Sequence, residues 1–231
     1  MGSVCTHPDY RGKGLARQVL AMAESKVQLA QGHFIYLFSN ENQFYENLGY
    51  QFCGETFISE LNPNSKFSVF HKKLMGKYFN YKILKLLPSE MPNEILIAQL
   101  WRFILQNSKS CESFLSYLEF KDILQIKNMQ MYYLLHKEKI CSVCFLNKGD
   151  DFENVIHGLY YSHPDYAILL SAETISKISK PKKFYFFPGP FFSEFAELFD
   201  YQVLPSMYVK IISHSKDMDL SSVFVRSLQG A

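Results

Sequence analysis

Arg11, Gly12, Lys13, Gly14 and Arg17 stand together near the start of a 231-residue chain, and their types suit one task, holding an anion. Glycine lacks the Cβ that keeps a ligand away from backbone amides, and the Arg and Lys side chains surround those amides with positive charge. From Gly14 the apolar residues Leu15, Ala16, Val19, Leu20, Ala23, Val27 and Ala30 recur at steps of three and four, one face of a helix. Gly32 supplies its closing signal. Residues 2–6 are small or β-branched and predict a short strand, which Pro8 stops because proline has no N–H for a ladder. The loop therefore lies where a strand hands over to a helix. Such a helix start has four unpaired amides and a partial positive charge, which suits phosphate.

Two familiar phosphate loops do not fit. A Walker A loop needs glycine at position 7 and Ser or Thr at 14, where His7 and Gly14 stand. A dinucleotide fingerprint beginning at Gly12 needs Gly or Ala at 17, where Arg17 stands. The loop does spell Arg-x-x-Gly-x-Ala, from Arg11 to Ala16. Further on, "FIYLFSNENQFYENLGYQF" reads as a strand over 34–38, a polar turn, a short helix and a glycine exit into another strand, ending Phe44-Tyr45-Glu46-Asn47-Leu48-Gly49-Tyr50.

Together the two blocks resemble the GNAT superfamily of N-acetyltransferases, whose signatures are Q/R-x-x-G-x-G/A and, after a strand and helix, F-Y-x-x-L-G-F. The resemblance implies that the loop of Arg11, Gly12, Lys13, Gly14, Leu15, Ala16 and Arg17 holds the pyrophosphate of acetyl-coenzyme A. It also implies that the strand Val4-Cys5-Thr6 faces the pantetheine arm. Tyr45 stands where relatives place a tyrosine that protonates the departing thiolate. Relatives often carry Asn seven residues before that tyrosine; here the position is Phe38, and Asn40 is the nearest stand-in for a cofactor contact. The implied reaction moves an acetyl group from acetyl-CoA to a primary amine of a small molecule or peptide, without a metal. The other reading is a catalytically impaired fragment that binds coenzyme A or serves as a scaffold. No general base is assigned: Glu41 and Glu46 read as exposed carboxylates and His7 as a turn residue.

The chain also repeats itself. Thr6-His-Pro-Asp-Tyr10 is echoed by Ser162-His-Pro-Asp-Tyr166, and Leu48-Gly-Tyr-Gln-Phe52 by Phe199-Asp-Tyr-Gln-Val203, in the same order. After Tyr166 comes Ala-Ile-Leu-Leu, with neither glycine nor charge, so the second copy predicts no coenzyme A site. Before its turn the second copy has helices over 92–106 and 114–124, a hairpin of 129–136 with 140–147, and a strand over 155–161. The first copy has only five residues before Thr6. The expected fold class is therefore α/β (α+β): a GNAT-type mixed central sheet flanked by helices, with a truncated first unit and a degenerate second one. The expected boundaries are 1–75 for the cofactor-binding half-domain, 76–91 for a basic and aromatic connector, 92–212 for the degenerate domain and 213–231 for a loose tail. Residues 67–71 read as a further strand. The edge left open beside residues 2–6 predicts truncation, or cover by the second half or by another subunit in a homo-oligomer.

Composition sets the outer bounds. With 48% apolar and 20% charged residues the chain can bury a core, and a net charge of +2 makes no case for a nucleic-acid partner. No stretch has the length and apolarity of a membrane span, and no charged-then-apolar leader opens the sequence. Five cysteines, an odd number, fit a reducing cytoplasm. Strand alternation puts the sulfurs of Cys141 and Cys144 on opposite faces, and no partner follows at zinc spacing.

Overall fold

A computed structural model describes residues 4–39, 41–59, 66–86, 94–108, 116–149, 152–177, 184–186, 196–198 and 201–212. The chain divides into two compact units. Among the described residues, the first gathers those up to 55 together with 205–212, and the second holds those from 56 to 204.

In the first unit, α1 (Leu15–Leu29) turns Leu20 fully inward, with Ala16, Ala23, Glu24 and Val27 half-buried beside it. Gln31, at φ 57°, takes the left-handed turn that ends the helix, and the Gly32 amide donates to Val27 O at 2.8 Å. Gly32 is needed for closeness: a Cβ there would lie 2.5 Å from Val27 Cγ1. Next come β1 (Phe34–Phe38), the short helix α2 (Asn42–Glu46) and β2 (Gln51–Ser59). β1 pairs antiparallel with the last strand of the chain, named β8 below (Tyr201–Ile211), in the register Phe34↔Ile211 to Phe38↔Met207. Leu20, Tyr45, Tyr50 and Tyr208 form the core, with Val4, Ile35, Leu37 and Leu48 packed against it.

The second unit is a sheet with helices on both faces. Its elements are α3 (Lys66–Lys77), β3 (Tyr81–Leu86), α4 (Glu94–Asn107), α5 (Tyr117–Leu124), β4 (Gln130–His136), β5 (Lys139–Lys148), β6 (Phe152–Tyr161), α6 (Pro164–Ser176) and β7 (Phe184–Phe186). β3, β4, β5 and β6 are successive antiparallel neighbours. β7 runs parallel to β6, and its other side pairs with residues 57–59 of β2. Strand alternation sorts the core. Tyr132, Leu134, Cys144 and Leu146 face α3 and α6, while Met131, Tyr133, Val143 and Phe145 face α4 and α5.

Several expectations are corrected. Residues 4–6 are irregular rather than a strand, since among the described residues β1 pairs with β8 alone and no ladder reaches them. Residues 67–71 are helical: Phe67 and Leu74 are buried on one face of α3, a seven-residue step that suits two helical turns. The connector 76–91 holds the end of α3 and strand β3. The division at 75 and the single block 92–212 also differ from the structure, because pairing with β1 takes residues 205–211 into the first unit. Cys141 and Cys144 join the same core cluster, because a register shift opposite Leu134 and Leu135 leaves Cys141 as the extra residue and breaks the alternation. Burial pushes the Cys144 thiol up to about 12, far from a reactive thiolate.

Candidate functional site

The His-Pro-Asp-Tyr segment folds locally. His7 Nδ1 accepts the Asp9 amide hydrogen at 3.4 Å, and Pro8–Tyr10 closes one 3-10 turn. Arg11 Nε then donates to Thr6 O at 3.3 Å, which ties the loop back to the segment before it. Gly12 and Gly14 both adopt left-handed φ, 76° and 75°, a region costly for any residue with a Cβ. Gly14 is the N-cap of α1, and it has no side chain with which to cap the helix.

The mouth of α1 is open. A Cβ built on Gly12 or Gly14 meets nothing within 4 Å, so both glycines face free space. Among the described residues no capping side chain takes the first amides of the helix, which include those of Leu15, Ala16 and Arg17. Lys13 Nζ lies 4.8 Å from the Tyr10 ring centroid, and Arg11, Lys13 and Arg17 are exposed around the opening. The start of α1, with its free amides and dipole, thus adjoins three exposed cationic residues in sequence, Arg11, Lys13 and Arg17.

The second His-Pro-Asp-Tyr makes the same cap and a different helix. His163 Nδ1 accepts the Asp165 amide hydrogen at 3.2 Å, but Pro164 is already the first residue of α6. Here a side chain caps the helix and a carboxylate stands in its first turn. Asp165, in the first helical turn, accepts from Lys77 Nζ and Tyr78 Oη, both at 2.8 Å. Burial raises the Asp165 carboxyl, and hydrogen bonds from Lys77 and Tyr78 outweigh it, so the group is held below the usual range. The two segments share this one cap, and in the first the four residues Arg11 to Gly14 stand between it and the helix.

Tyr45 lies in α2 and is buried, its ring stacked on Tyr208 (centroids 6.2 Å apart) and edge-on to Tyr50 (5.8 Å). Val4 packs against the core cluster to which Tyr45 belongs. Thr6 is half-buried and Cys5 exposed. Asn40 lies outside the described residues. Sequence reasoning missed Glu24, Tyr208 and Lys210. Lys210 Nζ donates to Glu24 Oε2 and to Leu48 O, both at 2.8 Å, and Tyr50 Oη donates to Glu24 Oε1 at 3.3 Å. Burial first, then the Glu24 charge, raises the Tyr50 hydroxyl far above its ordinary range. The signal for Glu24 was available, as a carboxylate on the inward face between Leu20 and Val27; its partner is 186 residues away and left no local mark.

Residues 1–52 match the family profile of the acetyltransferase (GNAT) domain. No curated protein matches the chain. Among solved structures it is similar to a GCN5-related N-acetyltransferase from Kribbella flavida, with 14% identity and a TM-score of 0.56 over 91% of this chain and 52% of that one. A tandem GNAT protein from the clavulanic acid biosynthesis pathway shows 10% identity and a TM-score of 0.57 over 91% and 74%. L-PGS from Bacillus licheniformis shows 12% and 0.60 over 89% and 76%. At these identities the likeness is one of fold. The chain spans about half the length of the Kribbella protein. The fold is thus of GNAT type, an α/β architecture. Within it, residues 1–52 match the acetyltransferase (GNAT) domain profile, and the fold is similar to that of a tandem GNAT protein. Among the described residues no helix is long and apolar enough to cross a membrane, and no cluster of three or more His, Cys, Asp or Glu is placed to hold a metal.

Proposed function

We propose that the first unit binds acetyl-CoA at the mouth of α1 and that the protein transfers the acetyl group to a primary amine of a small molecule or peptide. One observation carries this reading: the helix mouth is uncapped and bordered by two left-handed glycines that face open space. The residues present fit the group. Loop amides from Gly12 to Arg17 would take the pyrophosphate, and Arg11, Lys13 and Arg17 its charge.

Acetyl-CoA supplies the activated acyl carbon, to which the nitrogen of a neutral amine forms a bond as the carbon–sulfur bond breaks. A backbone amide of the segment Val4-Cys5-Thr6 would polarise the carbonyl, and Tyr45 would give its proton to the departing sulfur and be restored by the proton that the acylated nitrogen loses. Positioning does most of the work in such a reaction. A second reading, binding without transfer, is favoured by the packing of Tyr45 between Tyr50 and Tyr208 at 7% exposure.

Thermal unfolding with acetyl-CoA tests the binding step. Ligand at a hundred times its Kd adds about 2.7 kcal/mol, and no shift at millimolar acetyl-CoA would overturn both readings. Release of free thiol in the presence of a panel of primary amines separates them: release supports transfer, and a shift without release leaves the binder.

A further inference from the structure

Two successive inward residues of β8 bear on Tyr45. Tyr208 stacks on its ring, with an interplanar angle of 25°. Lys210 passes under Gly49, where a Cβ would meet Lys210 Cε at 3.7 Å, and places its ammonium on Leu48 O in the turn that leaves α2. The same ammonium binds Glu24 of α1, and both side chains are mostly withdrawn from solvent, at 27% and 21% exposure. Glu24 in turn accepts from Tyr50, whose own amide donates to Tyr45 O at 3.1 Å. The circuit closes on α2 from both sides.

From this circuit we infer that Lys210 is a positioning residue: it links α1 to the turn after α2 and sets the direction of the Tyr45 side chain. The inference rests on the proposed role of Tyr45 in acetyl transfer. Glu24 lies nine residues beyond Leu15, about 13 Å along the helix at 1.5 Å per residue. The clamp therefore acts on Tyr45 and leaves the phosphate end of the site alone. Removing either partner leaves a half-buried charge uncompensated, so Lys210→Met and Glu24→Gln should each also lower stability.

The test uses the full chain grown with 3-fluorotyrosine, the Tyr45 fluorine signal being assigned by its loss in Tyr45→Phe. Lys210→Met should displace that signal by more than its linewidth. Lys210→Arg, which keeps a donor for both acceptors, should return it. Lys26→Met, an exposed lysine on the same helix as Glu24, should leave it in place. A merely stabilising lysine would lower the melting temperature without moving the native-state signal, so an unmoved Tyr45 signal in folded Lys210→Met overturns the inference, as does failure of Arg to restore it. If Lys210→Met does not fold, Glu24→Gln takes its place with the same two outcomes. Acetyl-CoA is then titrated into each protein. If it perturbs no fluorine of the unaltered protein while Lys210→Met still displaces Tyr45, the function proposed above fails and the clamp stands.

Discussion

Lys77 Nζ donates to Asp165 Oδ2 at 2.8 Å, so a lysine at the end of α3 pairs with a carboxylate in the first turn of α6. The carboxylate stands in the first helical turn, where a bound anion would otherwise be favoured. Asp165 is 12% exposed and also takes the Tyr78 hydroxyl. Asp165→Ala should therefore destabilise the protein by about 2 kcal/mol, the range for losing a charged hydrogen bond and its helix-end contacts, as read by urea unfolding. The pH sign follows from the depressed carboxyl. Its contribution is present above the unfolded value near 3.8 and is lost as pH falls through the folded value. Asp165→Asn should remove that last acid-side fall in stability, and an unchanged acid limb would contradict the assignment.

Gly14 separates backbone strain from ligand charge. At φ 75° an alanine costs about 1–2 kcal/mol, yet it adds no charge and its Cβ enters open space. Gly14→Ala should lower the melting temperature and weaken, without abolishing, the stabilisation by acetyl-CoA. Gly14→Glu puts a carboxylate before the phosphates and should abolish that stabilisation. Equal shifts in the two variants would mean that the cofactor lies elsewhere.

Tyr45→Phe keeps the ring between Tyr50 and Tyr208 and removes only the hydroxyl. Calorimetric affinity for acetyl-CoA should change little, while thiol release with an accepted amine should slow by about 10²-fold, the lower range for a general acid. A rate equal to that of the unaltered protein would end the proton-donor role.

His157 offers a second pH readout. Burial, and next the Lys148 charge, push its imidazole down to about 3. The unfolded chain binds the proton from pH 6.5 downward and the folded one does not, so stability falls as pH drops through this window. At pH 5 the loss from this residue is about 2 kcal/mol at 1.36 kcal/mol per unit. His157→Gln should flatten that slope between pH 6.5 and 4 in denaturant unfolding, and an unaltered slope would contradict it.

Gly32→Ala places a Cβ 2.5 Å from Val27 Cγ1 and 3.2 Å from Val27 O. The end of α1 must shift, at a cost of about 1–3 kcal/mol. Adding Val27→Ala removes the first contact and should recover part of that loss in thermal unfolding.

What was legible in the sequence was what local pattern decides. Five consecutive apolar residues fixed β1, and the gap between two apolar runs located the β4–β5 hairpin, although its turn uses Lys137 and Glu138 at left-handed φ rather than glycine. The glycines of the loop were readable because left-handed backbone before a helix has few other causes. Residues 67–71 were misread because so short a segment, Phe-Ser-Val-Phe-His, satisfies a strand period as well as a helical one; Leu74 decides between them. The partner of β1 could not be read at all. Pairing of Tyr36 with Val209 is long-range, and no periodicity records which distant strand a given strand will meet.

That distance has a consequence for synthesis. β1 leaves the ribosome roughly 170 residues before the strand that pairs with it, a delay of about 10–30 s at 5–20 residues per second. Through that interval Phe34–Phe38 carries an open, wholly apolar edge. The first unit is thus not completed until its last strand emerges, and a nascent chain stalled before β8 holds the glycine loop without the strand that pairs with β1.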